Sequence, residues 1–236
     1  MADFLILAVE TSSGCGSVAL TNGQMHDGHL LAEVTLRPQV THSRKLLGSV
    51  RFIMDAVGVT WSDLDGIAVC LGPGSFTGLR IGMAAAKGIA MGAGLPVLGV
   101  LSLDALAAQL PCTGQQLCCL LDARKKQVYS ALYRAAPDNS QPQRCGKIKV
   151  QAPEELAASI TEPTIMAGPG VAAYEPCFQD REMLTLISPV LVEPRASLIG
   201  YLGASQLQAG RFPAPGELHP VYIRASEAEI NENARR

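Results

Sequence analysis

The chain has 236 residues, of which 48% are hydrophobic and 17% are charged, a composition typical of a globular protein with one large domain or two small ones. Its 19 basic and 21 acidic residues leave it nearly neutral, which argues against a protein that binds nucleic acid on its own. No apolar run reaches the roughly 18 residues of a membrane span and no secretory signal begins the sequence, so we expect a cytoplasmic protein with no membrane contact.

The first half of the sequence predicts three strands followed by alternating helices and strands. Asn22 and Gly23 favour a tight hairpin turn between the second and third strands, and Thr41 is a suitable cap for the helix that follows. The first elements expected are strands over 4–9, 17–21 and 30–36. A helix follows, with the apolar stripe Leu46, Leu47, Val50, Ile53, Met54 and Val57. After it we expect a strand over 66–71, a loop and helix within 72–90, a strand over 96–100 and a helix opened by Ser102.

The second half repeats this order. Each half ends its first strand on an acid, Glu10 or Asp122, and places a serine, Ser17 or Ser130, seven or eight residues later. The expected elements are strand, turn and strand over 116–134, a strand over 145–150, a helix opened by Pro153, a strand over 164–168, a helix, a strand over 184–188 and a helix over 194–209.

This repeated order predicts an α/β protein of two similar lobes, each with a mixed sheet and helices. The architecture is that of two ribonuclease-H-like lobes, as in the actin, sugar kinase and heat-shock ATPase (ASKHA) fold. We expect a first lobe over 1–110, a second lobe over 111–210 and a partly extended tail over 211–236. The two acidic turns are then expected to face a cleft between the lobes.

A glycine-rich stretch, GPGSFTGLRIGMAAAKGIA, begins like a phosphate-binding loop at Gly72. A Walker loop needs two glycines five residues apart followed by lysine and serine or threonine, and the glycines here do not have that spacing. A dinucleotide fingerprint needs a glycine at position 77, which is Thr77. What remains is the general ability of a helix start to hold an anion, with Arg80 nearby.

The helix in this stretch carries a row of small residues, Gly78, Gly82, Ala86 and Ala90, at every fourth position. Each glycine weakens a helix by about 0.8–1.0 kcal/mol relative to alanine, and the benefit of such a row is close approach by another backbone. Two interpretations are open: the row accepts a helix of another subunit, or it packs on the sheet of its own lobe.

The acidic turn in ETSSGCGS is a candidate for a vestigial nucleotide site. Glu10 would hold a hydrated cation while Thr11, Ser12 and Ser17 face a phosphate, and Asp122 is the corresponding acid of the second lobe. The alternative, which the sequence favours, is a hairpin whose small hydroxyls satisfy a tight turn. The basic residues 124–126 are read either as a solvated turn or as a modest anion contact.

A metal site is not predicted. His42 begins a helix, but a two-histidine site on one helix face needs its second ligand at position 46, which is Leu46. The seven cysteines are scattered without a CxxC pair, as expected for reduced thiols.

Six segments together closely resemble the TsaB family: ILAVETSSGCGSVAL, THSRKLL, GPGSFTGLRIGMAAAKGIA, GVLSLDALA, LLDARKKQVYSALY and HPVYIR. The resemblance runs in order over nearly the whole chain. It implies an actin-like, two-lobed protein that is needed for the threonylcarbamoyl modification of the adenosine beside the anticodon in tRNAs reading codons that start with A. The chain departs from the family in carrying Glu10 where aspartate is usual.

The resemblance also implies how such a protein works. It is a non-catalytic paralogue of the transferase TsaD, binds TsaD through the helical face of its first lobe, and acts with the ATPase TsaE. It therefore implies no cofactor bound by this chain alone, ATP used by the wider complex, contact with tRNA only through the complex, and a homodimer when the chain is alone. The expected interface residues are His42, Lys45, Ser49, Gly78, Arg80, Gly82, Met83, Ala86 and Lys87.

Two other functions are weighed against this interpretation. An autonomous ATPase or small-molecule kinase of the same fold would need Glu10 and Asp122 to hold a metal–nucleotide complex. Direct tRNA binding by this chain is disfavoured by its near-neutral charge.

Overall fold

The structure is a computed structural model that describes residues 3–37, 42–136, 141–188, 190–214 and 216–223. For residues 42–44 it describes the backbone alone. No helix in these ranges is both long and apolar enough to cross a membrane.

The first half forms a five-stranded mixed sheet in the order β3-β2-β1-β4-β5. β1 pairs antiparallel with β2 and β2 with β3, whereas β4 and β5 run parallel to β1. The elements are β1 (Leu5–Glu10), β2 (Gly16–Asn22), β3 (His29–Leu36), α1 (His42–Val57), β4 (Gly66–Gly72), α2 (Phe76–Ala93), β5 (Val97–Leu101) and α3 (Ser102–Ala107).

The second half forms a six-stranded sheet with the path β11-β10-β6-β7-β8, and β9 also pairs with β7. The predicted repeat is therefore present, although the strand expected over 145–150 is replaced by two short strands, β8 and β9. The elements are β6 (Gln116–Arg124), β7 (Gln127–Ala135), β8 (Pro142–Arg144), β9 (Lys149–Gln151), α4 (Pro153–Ser159), β10 (Thr164–Ala167), α5 (Pro169–Ala173), β11 (Leu184–Leu186) and α6 (Ala196–Gln208).

Helices cover both faces of the first sheet. On one face, Leu46, Val50 and Ile53 of α1 and Met83 and Ala86 of α2 pack on the inward side chains of β1, β2 and β4. Full burial of a leucine or isoleucine side chain contributes about 1.5–3 kcal/mol, so this layer fixes both helices on the sheet.

The opposite face of the first sheet is covered by α6, which comes after the second sheet in the sequence. The first amide groups of α6 bond to side chains of the first lobe: Glu33 accepts hydrogen bonds from the amide (3.0 Å) and hydroxyl (3.1 Å) of Ser197, and Ser17 accepts one from the amide of Ala196 (2.9 Å). The expected second lobe over 111–210 is thus corrected at its end, because α6 packs on the first sheet. The remaining limits of the lobes stay a prediction.

Two smaller expectations differ from the structure. Asn22 and Gly23 do not form a two-residue turn, because Asn22 pairs with His29 and residues 23–28 form the connection. Leu47, predicted on the apolar stripe of α1, is 57% exposed. Thr41 and residues 224–236 of the tail lie outside the described residues.

Candidate functional site on the first lobe

The turn between β1 and β2 packs against the start of α2. The Thr11 hydroxyl donates a hydrogen bond to the carbonyl oxygen of Gly78 over 2.8 Å. A methyl group at Gly78 would overlap the Thr11 carbonyl oxygen, and one at Gly82 would overlap the Thr11 hydroxyl. Both positions therefore need glycine because the chain's own turn occupies the space beside them.

The loop before α2 completes this packing. The amide of Ser75 donates to the carbonyl oxygen of Ser12 over 2.6 Å, and a methyl group at Gly74 would overlap the same carbonyl. Ser75 then caps α2, since its hydroxyl accepts a hydrogen bond from the amide of Gly78 over 3.2 Å. The glycine-rich motif thus binds a turn of its own lobe.

This packing corrects the predicted interface. Gly78, Gly82, Met83 and Ala86 are all buried within the first lobe, so the prediction that they contact a partner helix is wrong. The alternative interpretation, in which the small-residue row packs inside its own lobe, is the one that the structure supports.

Glu10 lies under the same turn and is 1% exposed. One of its carboxylate oxygens accepts a hydrogen bond from the amide of Ser12. Desolvation by burial raises the pKa of the Glu10 carboxyl above its usual value, and this effect outweighs the opposing hydrogen bonds from Cys70 and Ser12. Burial raises the pKa of the Cys70 thiol as well. The carboxyl group is thus held inside the lobe in an environment that favours its neutral form.

Of the other residues of the proposed nucleotide turn, Thr11, Ser17 and Asp122 also have internal partners, whereas the Ser12 hydroxyl is buried without a hydrogen-bond partner. Ser17 bonds to α6, as described above, and Thr11 bonds to α2. In the second lobe, the same oxygen of Asp122 accepts hydrogen bonds from the Arg124 amide (2.7 Å) and the Tyr174 hydroxyl (3.0 Å). Neither acid is arranged as an open cation ligand, so these residues do not fit a metal–nucleotide complex. Across the described residues, His, Cys, Asp and Glu side chains form no group of three or more that suits a metal ion.

The C-terminal segment 218–223 covers the carboxyl end of β4. Leu218 is buried in the first core, and the amide of Val221 donates to the Leu71 carbonyl oxygen over 2.7 Å. Ile223 packs against the core of the second sheet. The carboxyl ends of parallel strands are where open α/β sheets bind ligands, and here the chain itself lies across that position.

Arg80 contacts this segment. Its guanidinium carbon lies 3.7 Å from the centre of the Phe76 ring and 5.9 Å from that of Tyr222, and its Nε donates to the Tyr222 hydroxyl over 3.2 Å. The two rings are 5.0 Å apart. The predicted interface residue Arg80 is exposed, but it already has partners within the chain. Its contacts join the HPVYIR and GPGSFTGLR motifs.

The outer faces of α1 and α2 carry large exposed apolar side chains. Phe52 of α1 is 63% exposed and Met91 of α2 is 86% exposed, in addition to Leu47. These helices lie side by side on one face of the sheet. Apolar side chains of this size on neighbouring helices are typical of a protein–protein contact.

A second row of small residues, which the sequence analysis did not identify, follows the outer face of α2: Ala84, Gly88 and Gly92, again at every fourth position. All three are exposed, and a methyl group at Gly88 or Gly92 would meet no atom within 4 Å. Lys87 lies beside this row and is half-buried. The sequence signal that separates the two rows is the position of Leu79 and Met83, which mark the core side of the helix. The outer surface formed by Leu47, Phe52, Ala84, Gly88, Met91 and Gly92 is called the helical face below.

The remaining predicted interface residues lie at the start of α1. Lys45 is exposed and Ser49 is half-buried, while the side chain of His42 is outside the described residues. Lys45 and Ser49 border a shallow groove that also includes Val34 and Leu36 of β3. These positions adjoin the helical face, and their contact with a partner stays a prediction.

Comparison with known proteins assigns this architecture to a fold type and a class of proteins. The chain matches the family described as "TsaD: tRNA N6-adenosine threonylcarbamoyltransferase" over residues 29–232. A solved structure described as an uncharacterized protein with similarity to peptidase YEAZ, from Pseudomonas aeruginosa, superposes with a TM-score of 0.77 at 29% identity, covering 94% of this chain and 100% of that one. The fold is therefore the two-lobed ASKHA type, in the class that contains the threonylcarbamoyltransferases.

Two relatives narrow the assignment. The Bacillus subtilis protein named tRNA threonylcarbamoyladenosine biosynthesis protein TsaB is 33% identical, over 95% of this chain and 96% of that protein. The Escherichia coli protein of the same name is 29% identical, over 94% and 96% respectively. The chain belongs to the TsaB family.

Proposed function

We propose that this chain is a non-catalytic subunit required for threonylcarbamoylation of the adenosine beside the anticodon in tRNAs that read codons starting with A. It acts by binding and activating a TsaD-family transferase, and the pair works with a TsaE-family ATPase in the cytoplasm. Two curated relatives that span nearly the same length are named for this biosynthesis, which supports the pathway.

The observation that carries the partner role is the helical face. Leu47 and Phe52 are exposed on α1 and Met91 is exposed on the neighbouring α2, where Gly88 and Gly92 have open space beside them. Small residues at every fourth position let a second helix approach closely, and the large side chains beside them can fill its grooves. The same face supports self-association of the chain when the transferase subunit is absent.

The surroundings of Glu10 and Asp122 support a non-catalytic role for this chain. Glu10 is buried, Asp122 is bonded within its own lobe, and segment 218–223 lies over the carboxyl end of β4. An autonomous ATPase or kinase would need these acids open to a metal–nucleotide complex. We therefore assign ATP use to the wider complex, with no cofactor bound by this chain alone.

The test is reconstitution with purified proteins. An unmodified transcript of a tRNA that reads an A-starting codon is incubated with the cognate TsaD-family and TsaE-family proteins, ATP and the threonylcarbamoyl adenylate, with or without this chain. Modification should require the chain, and Asp122→Asn, which keeps the hydrogen-bond acceptor, should leave the rate unchanged. Full modification without the chain would contradict the proposal, as would ATP hydrolysis by the chain alone that is lost in Asp122→Asn.

A further inference from the structure

The chain is nearly neutral as a whole, but its basic residues are concentrated on one edge of the second lobe. Residues 124–149 contain seven basic residues and one acidic residue, and four of the six lysines in the chain lie there. Most other acids of this lobe follow later in the sequence, in and around its helices. Near-neutral total charge therefore does not exclude a local site for a polyanion.

The β6–β7 turn presents part of this charge in an unusual backbone conformation. Arg124, Lys125 and Lys126 have φ angles of 62°, 51° and 58°. Two-residue hairpin loops with positive φ favour asparagine and glycine, because other residues are less stable in this region by about 1–2 kcal/mol each. The turn keeps three long basic side chains despite that cost, a pattern associated with functional segments.

The second part of the edge is formed by β8, β9 and the residues between them. β8 and β9 both pair with β7 on the side away from β6, so they form the outer edge of the sheet. Lys149 pairs with Ser130, four residues along β7 from Lys126. At about 3.3 Å per residue, the edge from Lys126 to Lys147 spans roughly 20 Å.

Ion pairs neutralise the arginines of this edge rather than Lys147 and Lys149. Arg124 pairs with Asp122 over 3.7 Å, Arg144 with Asp104 over 3.3 Å, and Arg134 with Glu162. Among the described residues, neither Lys147 nor Lys149 takes part in an ion pair, and both are exposed. Lys147 and Lys149 therefore carry positive charge without an ion-pair partner among the described residues, whereas the charge of Lys126 also acts on Glu154. We call these three residues the basic edge: Lys126, Lys147 and Lys149.

We propose that the basic edge contacts the phosphate backbone of the tRNA substrate within the assembled complex. The inference rests on the proposed function, which brings tRNA to this chain's partner. Lysines at this spacing suit phosphates, which need charge but no base-specific geometry. The competing explanation is that lysines on an exposed edge strand prevent edge-to-edge aggregation.

The experiment compares two variants that each lose two positive charges. Lys147→Gln with Lys149→Gln removes part of the basic edge, and Arg195→Gln with Arg211→Gln removes two exposed arginines elsewhere. Each variant is first sedimented with the cognate TsaD-family subunit. Binding of an unmodified tRNA transcript by the resulting complex is then titrated at several salt concentrations.

Loss of two phosphate contacts should make the plot of log K against log salt concentration less steep by about 1.4–1.8. At 0.15 M salt, tRNA binding should be weaker by roughly 15- to 30-fold. Lys147→Arg with Lys149→Arg should restore both. Equal slopes and affinities for the wild type and the lysine variant would overturn the inference, as would an equal loss in the arginine control or aggregation of the lysine variant with unchanged tRNA affinity. Failure of the wild type to pair with the transferase subunit would instead refute the proposed function.

Discussion

Gly78 and Gly88 lie on the same helix but should respond oppositely to the same substitution. A methyl group at position 78 would lie 3.2 Å from the Thr11 carbonyl carbon and closer still to its oxygen, whereas one at position 88 would meet no atom within 4 Å. Gly78→Ala therefore tests whether the glycine row of α2 is an internal packing surface, and Gly88→Ala is its matched control.

The expected magnitudes follow from this geometry. Overpacking typically destabilises by about 1–3 kcal/mol, and moving the turn would also weaken the Thr11–Gly78 hydrogen bond by about 1 kcal/mol. The gain in helix propensity offsets about 1 kcal/mol of this. We expect Gly78→Ala to lower the free energy of unfolding by about 1–3 kcal/mol and Gly88→Ala to raise it by about 0.5–1 kcal/mol.

Urea unfolding of both variants, followed by circular dichroism, measures this difference of roughly 3 kcal/mol. Equal stability of the two alanine variants would refute the packing account of the glycine motif. It would also return the row containing Gly78 to consideration as a partner surface.

Three further predictions concern stability. Glu33→Ala should lower the free energy of unfolding by about 1–2 kcal/mol because Glu33 accepts hydrogen bonds from the first turn of α6. Glu217→Ala, at an exposed site, is the control. Equal effects of the two substitutions in urea unfolding would contradict the capping role of Glu33. Because burial raises the pKa of Glu10 in the folded state, its contribution to stability is fully present below the unfolded value of 4.5 and is lost as pH rises through the folded pKa. Glu10→Gln cannot ionise, so its stability relative to the wild type should increase as pH rises from 4 to 8; a constant difference would contradict the burial of this carboxyl. Tyr222→Ala should cost about 1–2 kcal/mol through lost contacts with Phe76 and Arg80, and an unchanged thermal unfolding midpoint would show that segment 218–223 is not held there.

The order of elements could be predicted because each half of the sequence contains clear local signals. Apolar runs lead up to Glu10 and Asp122, although β6 continues to Arg124; Ser102 and Pro153 begin helices, and the two halves reinforce each other. The packing of α6 on the first sheet could not be predicted in this way. It depends on Glu33 and Ser17, which are distant in sequence from the helix that they bind.

The correct helix, α2, was predicted for the candidate site, but the face predicted on that helix was wrong. Rows at every fourth position occur twice on α2, through Gly78 and through Gly88, and the spacing of the small residues alone does not distinguish them, although the positions of Leu79 and Met83 do. The deciding contact is between Gly78 and Thr11, 67 residues apart in the sequence. Phe52 lies outside the apolar stripe that the sequence predicts for α1, and the structure shows how far it and Met91 are exposed.

The most direct test of the central claim is sedimentation of the chain with its cognate TsaD-family subunit, comparing Met91→Glu with Met183→Glu. Both methionines are exposed, the first at 86% on the helical face and the second at 48% on the second lobe. A buried, unpaired carboxylate in the contact should weaken pairing by at least roughly tenfold, so the account predicts a complex that is lost in Met91→Glu and kept in Met183→Glu. Normal pairing by folded Met91→Glu would contradict it.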